Sequence, residues 1–134
     1  MTPLVLLPGM MCDARLFFPQ IAAFSGRRAM ICAPISQAAS TGELAADVLA
    51  NAPPRFALAG LSMGGIVAME ILRQAPDRVE RIALLDTNPL AETSDIKARR
   101  LPQMTAVRNG GLADVIRDEM KPNYLTDGPN MGQI

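Results

Sequence analysis

The five residues Gly60-Leu61-Ser62-Met63-Gly64 spell G-x-S-x-G, the pattern of a sharp strand-to-helix turn that lifts a serine hydroxyl out of a sheet. The surroundings agree with that reading. Residues 55–61, RFALAGL, form a short apolar run behind the breaker pair Pro53-Pro54, the profile of a buried parallel strand. Residues 64–74, GGIVAMEILRQ, are compatible with a helix that stops before Pro76. Gly60, Gly64 and Gly65 remove the Cβ atoms that would collide where two backbones nearly touch.

Outward from this turn the chain alternates between strand and helix. Strands are expected over residues 4–7, 28–34, 55–61 and 81–86. Asp13 or a neighbour opens a short helix that carries Leu16, Phe17, Phe18 and Ile21 toward the core. Ser40 followed by Glu43 has capping-box spacing and starts a helix with Leu44, Val48 and Leu49 as its apolar stripe, running to Asn51. Repeated strand, helix, strand predicts a parallel sheet of about four strands with helices on both faces and ligands at the carboxyl ends. After Asp86 the pattern changes. Thr87-Asn88-Pro89 reads as a turn, and residues 94–108 as a charged helix interrupted near Pro102. Asn109-Gly110-Gly111 ends it, residues 112–120 form another helix, and 124–134 read as a loose tail.

Three segments together resemble the α/β-hydrolase family. The turn at Ser62 is similar to its nucleophile elbow. Residues 4–13, LVLLPGMMCD, look like its strand and oxyanion loop, with Pro8-Gly9 where many members have His-Gly. Residues 76–86, PDRVERIALLD, are similar to the helix end, connecting turn and parallel strand that follow the elbow. The resemblance implies an α/β fold class: a partial α/β-hydrolase fold with a helical, lid-like carboxyl-terminal segment. Residues 1–90 would be the amino-terminal half of the hydrolase core, and 91–134 a partial helical cap with the tail. It makes Ser62 the nucleophile and the backbone N–H groups of Met10 and Met63 the oxyanion hole, although both methionines could instead simply pack a pocket wall. Asp86 is a candidate acid at a strand end, with a turn cap as the favoured alternative. Asp13, Glu43, Asp47 and Glu70 read as caps or solvated charges.

The chain contains no histidine, so the usual base of a serine triad is missing from these 134 residues. Thirteen basic and thirteen acidic residues cancel, and without a basic stripe or aromatic platform nucleic acid is excluded as an expected partner. No apolar run approaches the ~20 residues that cross a bilayer, and MTPLVLLPGMM, broken by Pro3, Pro8 and Gly9, reads as a strand instead of a signal segment. Cys12 and Cys32 read as free thiols of a cytoplasmic protein, a nucleophilic Cys12 lacking a base just as Ser62 does. No metal site, GxGxxG or P-loop is present, so no cofactor is expected.

The function expected is acyl hydrolysis of an ester, thioester or lactone by a truncated chain that is inactive alone. The alternative is a non-catalytic binding or assembly protein on the same scaffold. Its open strand over 81–86 would pair with a second copy, or with a complementing chain that supplies an acid and a histidine.

Overall fold

LVLL at Leu4–Leu7 forms the first strand, β1, and the rest of the sheet assembles around it. The computed structural model describes residues 1–124, so the tail expected beyond Tyr124 lies outside the described residues. Contacts divide the chain into two units, Met1–Pro89 and Leu90–Ile134. In the first unit β2 (Met30–Cys32), β3 (Phe56–Leu61) and β4 (Val79–Leu85) join β1 in one parallel sheet of order β2-β1-β3-β4. Leu6 stands opposite both Cys32 and Ala59, and Ala59 opposite Ala83. The second strand is shorter than expected from residues 28–34.

The side chains of the two central strands alternate between two cores. Val5 and Leu7 of β1 and Phe56 and Leu58 of β3 pack with Leu44, Ala45 and Val48 of α2 (Thr41–Asn51) and Val67, Ala68 and Ile71 of α3 (Met63–Gln74). On the other face Leu6 and Ala59 pack with Phe17, and half-buried Ile21 and Cys32 close around them. Both faces are thereby covered, which is why the strands read as unbroken apolar runs. Phe17 ends a 3-10 turn, Ala14–Phe17, that is capped by Asp13 and runs into α1 (Phe18–Phe24). The expectation that Leu16 and Phe18 also point inward is corrected: they are 38% and 59% exposed. A 3-10 turn advances three residues per turn, so the helical spacing is broken at Phe17, and Phe17 and Ile21 are what remain on the sheet side.

Helix α2 begins with the expected capping box. The Glu43 N–H donates to Ser40 Oγ, and the Ser40 N–H donates to the Glu43 carboxylate. Its carboxyl end is tied down by a residue that stood in the sequence only as part of a connecting turn. The Arg78 guanidinium donates to the carbonyls of Leu49 (3.0 Å), Ala52 (2.9 Å), Pro53 (2.9 Å) and Pro54 (3.2 Å). The same group lies 5.7 Å from the centre of the Phe56 ring. One cation therefore closes the open carbonyls of α2 and fixes the Pro53-Pro54 turn that aims β3.

Among the described residues β4 pairs with β3 alone and is one edge of the sheet, β2 being the other. Ile82, Leu84 and Leu85 are each more than a third exposed there. In the second unit α4 spans Ser94–Arg108 and is capped by Thr93. Pro102 lies inside it without interrupting it, contrary to expectation. α4 has no buried residue, so the carbonyl that loses a proline's missing N–H is free to meet water. Residues 112–120 form α5 (Leu112–Asp114) continued by a wider π-helical turn, Val115–Met120. No helix among the described residues is long and apolar enough to cross a membrane.

Replacing Arg78 by Ala strands four carbonyls, and the expected cost is about 2–3 kcal/mol in urea unfolding. Arg78→Lys is expected to recover less than the full loss, because an ammonium cannot span the four acceptors as a planar fork does.

Candidate functional site

Among the described residues, three other than glycine adopt positive φ: Met11 (62°), Ser62 (51°) and Asp86 (41°). Each follows the carboxyl end of a different strand, β1, β3 and β4, so all the left-handed strain of this kind gathers on one edge of the sheet. Such conformations cost about 1–3 kcal/mol each and persist where the surroundings over-determine them.

Ser62 is the junction between β3 and α3. Its φ and ψ of 51° and −116° turn the chain sharply, and its side chain makes no capping hydrogen bond to the helix it precedes. Ser40 offers the contrast, since its extended backbone lets its hydroxyl cap α2. The backbone on both sides of Ser62 is held. Its N–H donates to Leu85 O at 2.9 Å, while its carbonyl accepts from Gly65 N (2.9 Å), Ile66 N (3.3 Å) and Thr87 Oγ1 (2.8 Å).

The glycines explain how α3 can start so close to the sheet. A Cβ on Gly64 would strike the carbonyls of Leu7 and Pro8 at the end of β1, and a Cβ on Gly60 would strike the Gly64 carbonyl and, at 2.7 Å, the Gly65 nitrogen. A Cβ on Gly65 would lie 2.6 Å from Thr87 Oγ1. These approaches leave no room for alanine at Gly60 or Gly64 without moving backbone.

Beside the elbow a cavity of about 650 Å³ is lined by Pro8, Met10, Met11, Cys32, Ile35 and Met63 among others. Its wall is mostly apolar and sulfur-bearing, with Asp13 as its one formal charge. Met10 and Met63 are therefore brought together on one cavity, Met63 being the residue that follows Ser62 in the chain. Asp86 sits elsewhere on the same edge. It is exposed, and it lies between Leu85 and Thr87, the two residues that grip Ser62. Among the described residues no hydrogen bond or ion pair is seen at its carboxylate. Cys12 is exposed, while burial pushes the Cys32 thiol above its usual range. No group of three or more His, Cys, Asp or Glu that could hold a metal exists among the described residues.

Two features of the site had no reading in the sequence. The left-handed Met11 carries no local signal, and Thr87 read only as part of a turn. Its hydroxyl reaches a carbonyl 25 positions away, a pairing that the fold alone creates.

No family model matches the chain. A 58-residue stretch is 38% identical to the pimeloyl-[acyl-carrier protein] methyl ester esterase of Pectobacterium carotovorum, covering 43% of this chain and 23% of that protein. Among solved structures, a thermophilic esterase from Thermogutta terrifontis superposes with a TM-score of 0.76 at 20% identity, over 89% of this chain and 49% of that one. An extracellular α/β-hydrolase from a Paenibacillus species gives a TM-score of 0.60 at 18% identity, over 79% of this chain and 53% of the other. The chain thus spans about half the length of these structures.

The packing at the elbow gives a direct expectation. Gly64→Ala, whose Cβ would meet the carbonyls of Leu7 and Pro8, is expected to lose about 3 kcal/mol or more in denaturant unfolding. Gly26→Ala, with open space around it, is the control and is expected to stay within about 0.5 kcal/mol.

Proposed function

From the premise that the chain has the α/β-hydrolase fold, as the portion that carries the elbow, we propose that it bears the nucleophile and oxyanion-binding half of an acyl-hydrolase site. The single observation that carries this reading is Ser62. It is strained, gripped at its backbone by β4 and α3, and spared from capping the helix it precedes.

In this reading Ser62 Oγ attacks the carbonyl carbon of an ester, thioester or lactone while its proton passes to a base. A C–O or C–S bond then breaks as the tetrahedral intermediate collapses, and water releases the acyl group from Ser62. The N–H groups of Met63 and Met10 receive the charge that develops on the carbonyl oxygen, each such donor being worth on the order of 3 kcal/mol. The apolar cavity between the Pro8–Asp13 loop and Met63 favours an uncharged acyl or alkyl group. The likeness to a methyl ester esterase supports small ester substrates. Asp86 is the candidate acid. The base comes from outside these residues, because none of the 134 is a histidine.

The test is chemical rescue with nitrophenyl butyrate as substrate. Alone, the chain is expected to hydrolyse the ester no faster than Ser62→Ala. Added imidazole is expected to restore a Ser62-dependent increment of about tenfold, a part of the 10²–10⁴ a positioned base supplies. Equal rates for the two proteins at every imidazole concentration would overturn the assignment of Ser62.

A second reading, assembly through the sheet edge, is favoured by β4 itself. Edge strands are ordinarily blunted by charge, proline or a bulge; β4 carries Glu80, Arg81 and a register shift at its start, but Ile82–Leu85 beyond them is uncharged and apolar on both faces. The occupant proposed is a second copy. A two-fold axis through Ala83 pairs Ile82 with Leu84 of the partner and continues the sheet across eight strands. Sedimentation velocity is expected to show concentration-dependent dimerisation that Leu84→Lys abolishes. A wild-type monomer at all concentrations would exclude this reading and leave the first untouched.

A further inference from the structure

Thr87 sits at the turn after β4, and its hydroxyl donates to the Ser62 carbonyl at 2.8 Å. That carbonyl and the Met63 N–H belong to the same peptide unit. In a planar trans peptide the two point in opposite directions, so whatever fixes one fixes the other. We propose that Thr87 is a positioning residue, which aims the Met63 N–H by holding the Ser62 carbonyl. The inference rests on the reading of Ser62 and Met63 given above and extends it to a residue with no contact to the reacting atoms.

Three observations distinguish this from ordinary carbonyl satisfaction. The Ser62 carbonyl already accepts from Gly65 N and Ile66 N, so the helix alone satisfies it. Those two donors come from the first turn of α3 and move with it. Thr87 comes from the turn that follows the neighbouring strand, and with the Ser62 N–H on Leu85 O it brackets the strained residue from outside the helix. Finally, Gly65 is what admits the Thr87 side chain, since a Cβ there would lie 2.6 Å from Oγ1 and 2.8 Å from Cγ2. The hydroxyl at position 87 and the missing Cβ at position 65 thus form one device.

Thr87→Val keeps the branched shape and removes the donor, and Thr87→Ser keeps the donor. In the imidazole-assisted assay Thr87→Val is expected to lower kcat about tenfold, short of the 10²–10³ lost with an oxyanion donor, and to leave KM unchanged. Thr87→Ser is expected to stay within about twofold, and Gly65→Ala to follow Thr87→Val. The activity-free readout is the Met63 amide resonance in ¹⁵N–¹H spectra, expected to shift in Thr87→Val and Gly65→Ala but not in Thr87→Ser. Thr87→Ala serves as the hydroxyl-free variant if the valine does not fold.

A Ser62-dependent rate in the wild type that survives unchanged in Thr87→Val would overturn the role of Thr87 alone. A wild type without such a rate would overturn the reading of Ser62. In that case an unmoved Met63 amide in Thr87→Val overturns the positioning role as well, and a moved one upholds it. Lost stability with neither kcat nor the amide affected would show a merely structural bond.

Discussion

The first unit depends on how closely the start of α3 approaches the ends of β1 and β3. At Gly64 the helix backbone lies against the carbonyls of Leu7 and Pro8, and at Gly60 the outgoing strand lies against the helix backbone. Nothing but hydrogen fits between them. This contact sets the height of α3 over the sheet, and with it the burial of Val67, Ala68 and Ile71 against β1 and β3. It also forces the chain to reverse within one residue, which is why Ser62 takes a conformation that a serine would otherwise avoid. Packing and strain at the elbow are the same fact seen from two sides.

Other long-range ties extend that constraint. Arg78 gathers the carbonyls that end α2 and begin β3, so the strand enters the elbow from a fixed direction. Leu85 and Thr87 hold the elbow from the far side. Met11 and Asp86, also left-handed, follow the carboxyl ends of β1 and β4 at the same edge. The result is a concave, mostly apolar surface at the carboxyl ends of the strands, where open parallel sheets collect their ligands.

Much of this was legible in the sequence because it is written locally. β1 and β3 are covered on both faces, and so appear as unbroken apolar runs. The Ser40–Glu43 box lies within a single turn of chain. Where the reading failed, the cause was a choice between local geometries with similar patterns. Helical spacing alone places Leu16 and Phe18 inward, but a 3-10 turn precedes α1 and breaks that spacing. Pro102 is locally a break signal, yet an exposed helix can leave a carbonyl to water. Thr87, Arg78 and the left-handed Met11 were invisible for a different reason. Each matters through partners or a backbone path that only the assembled sheet defines.

The edge position of β4 has a consequence for the elbow. Bonded on one side and exposed along most of its length, β4 is one of the two edge strands of the sheet, and edges are where sheets fray. Yet the elbow's two lateral tethers, Leu85 O and Thr87 Oγ1, both hang from its carboxyl end. The geometry of Ser62 is therefore only as persistent as an edge strand of the sheet. Any polypeptide that pairs with β4 tightens the elbow in the same act, without touching Ser62, and by reciprocity an occupied elbow holds that polypeptide more firmly.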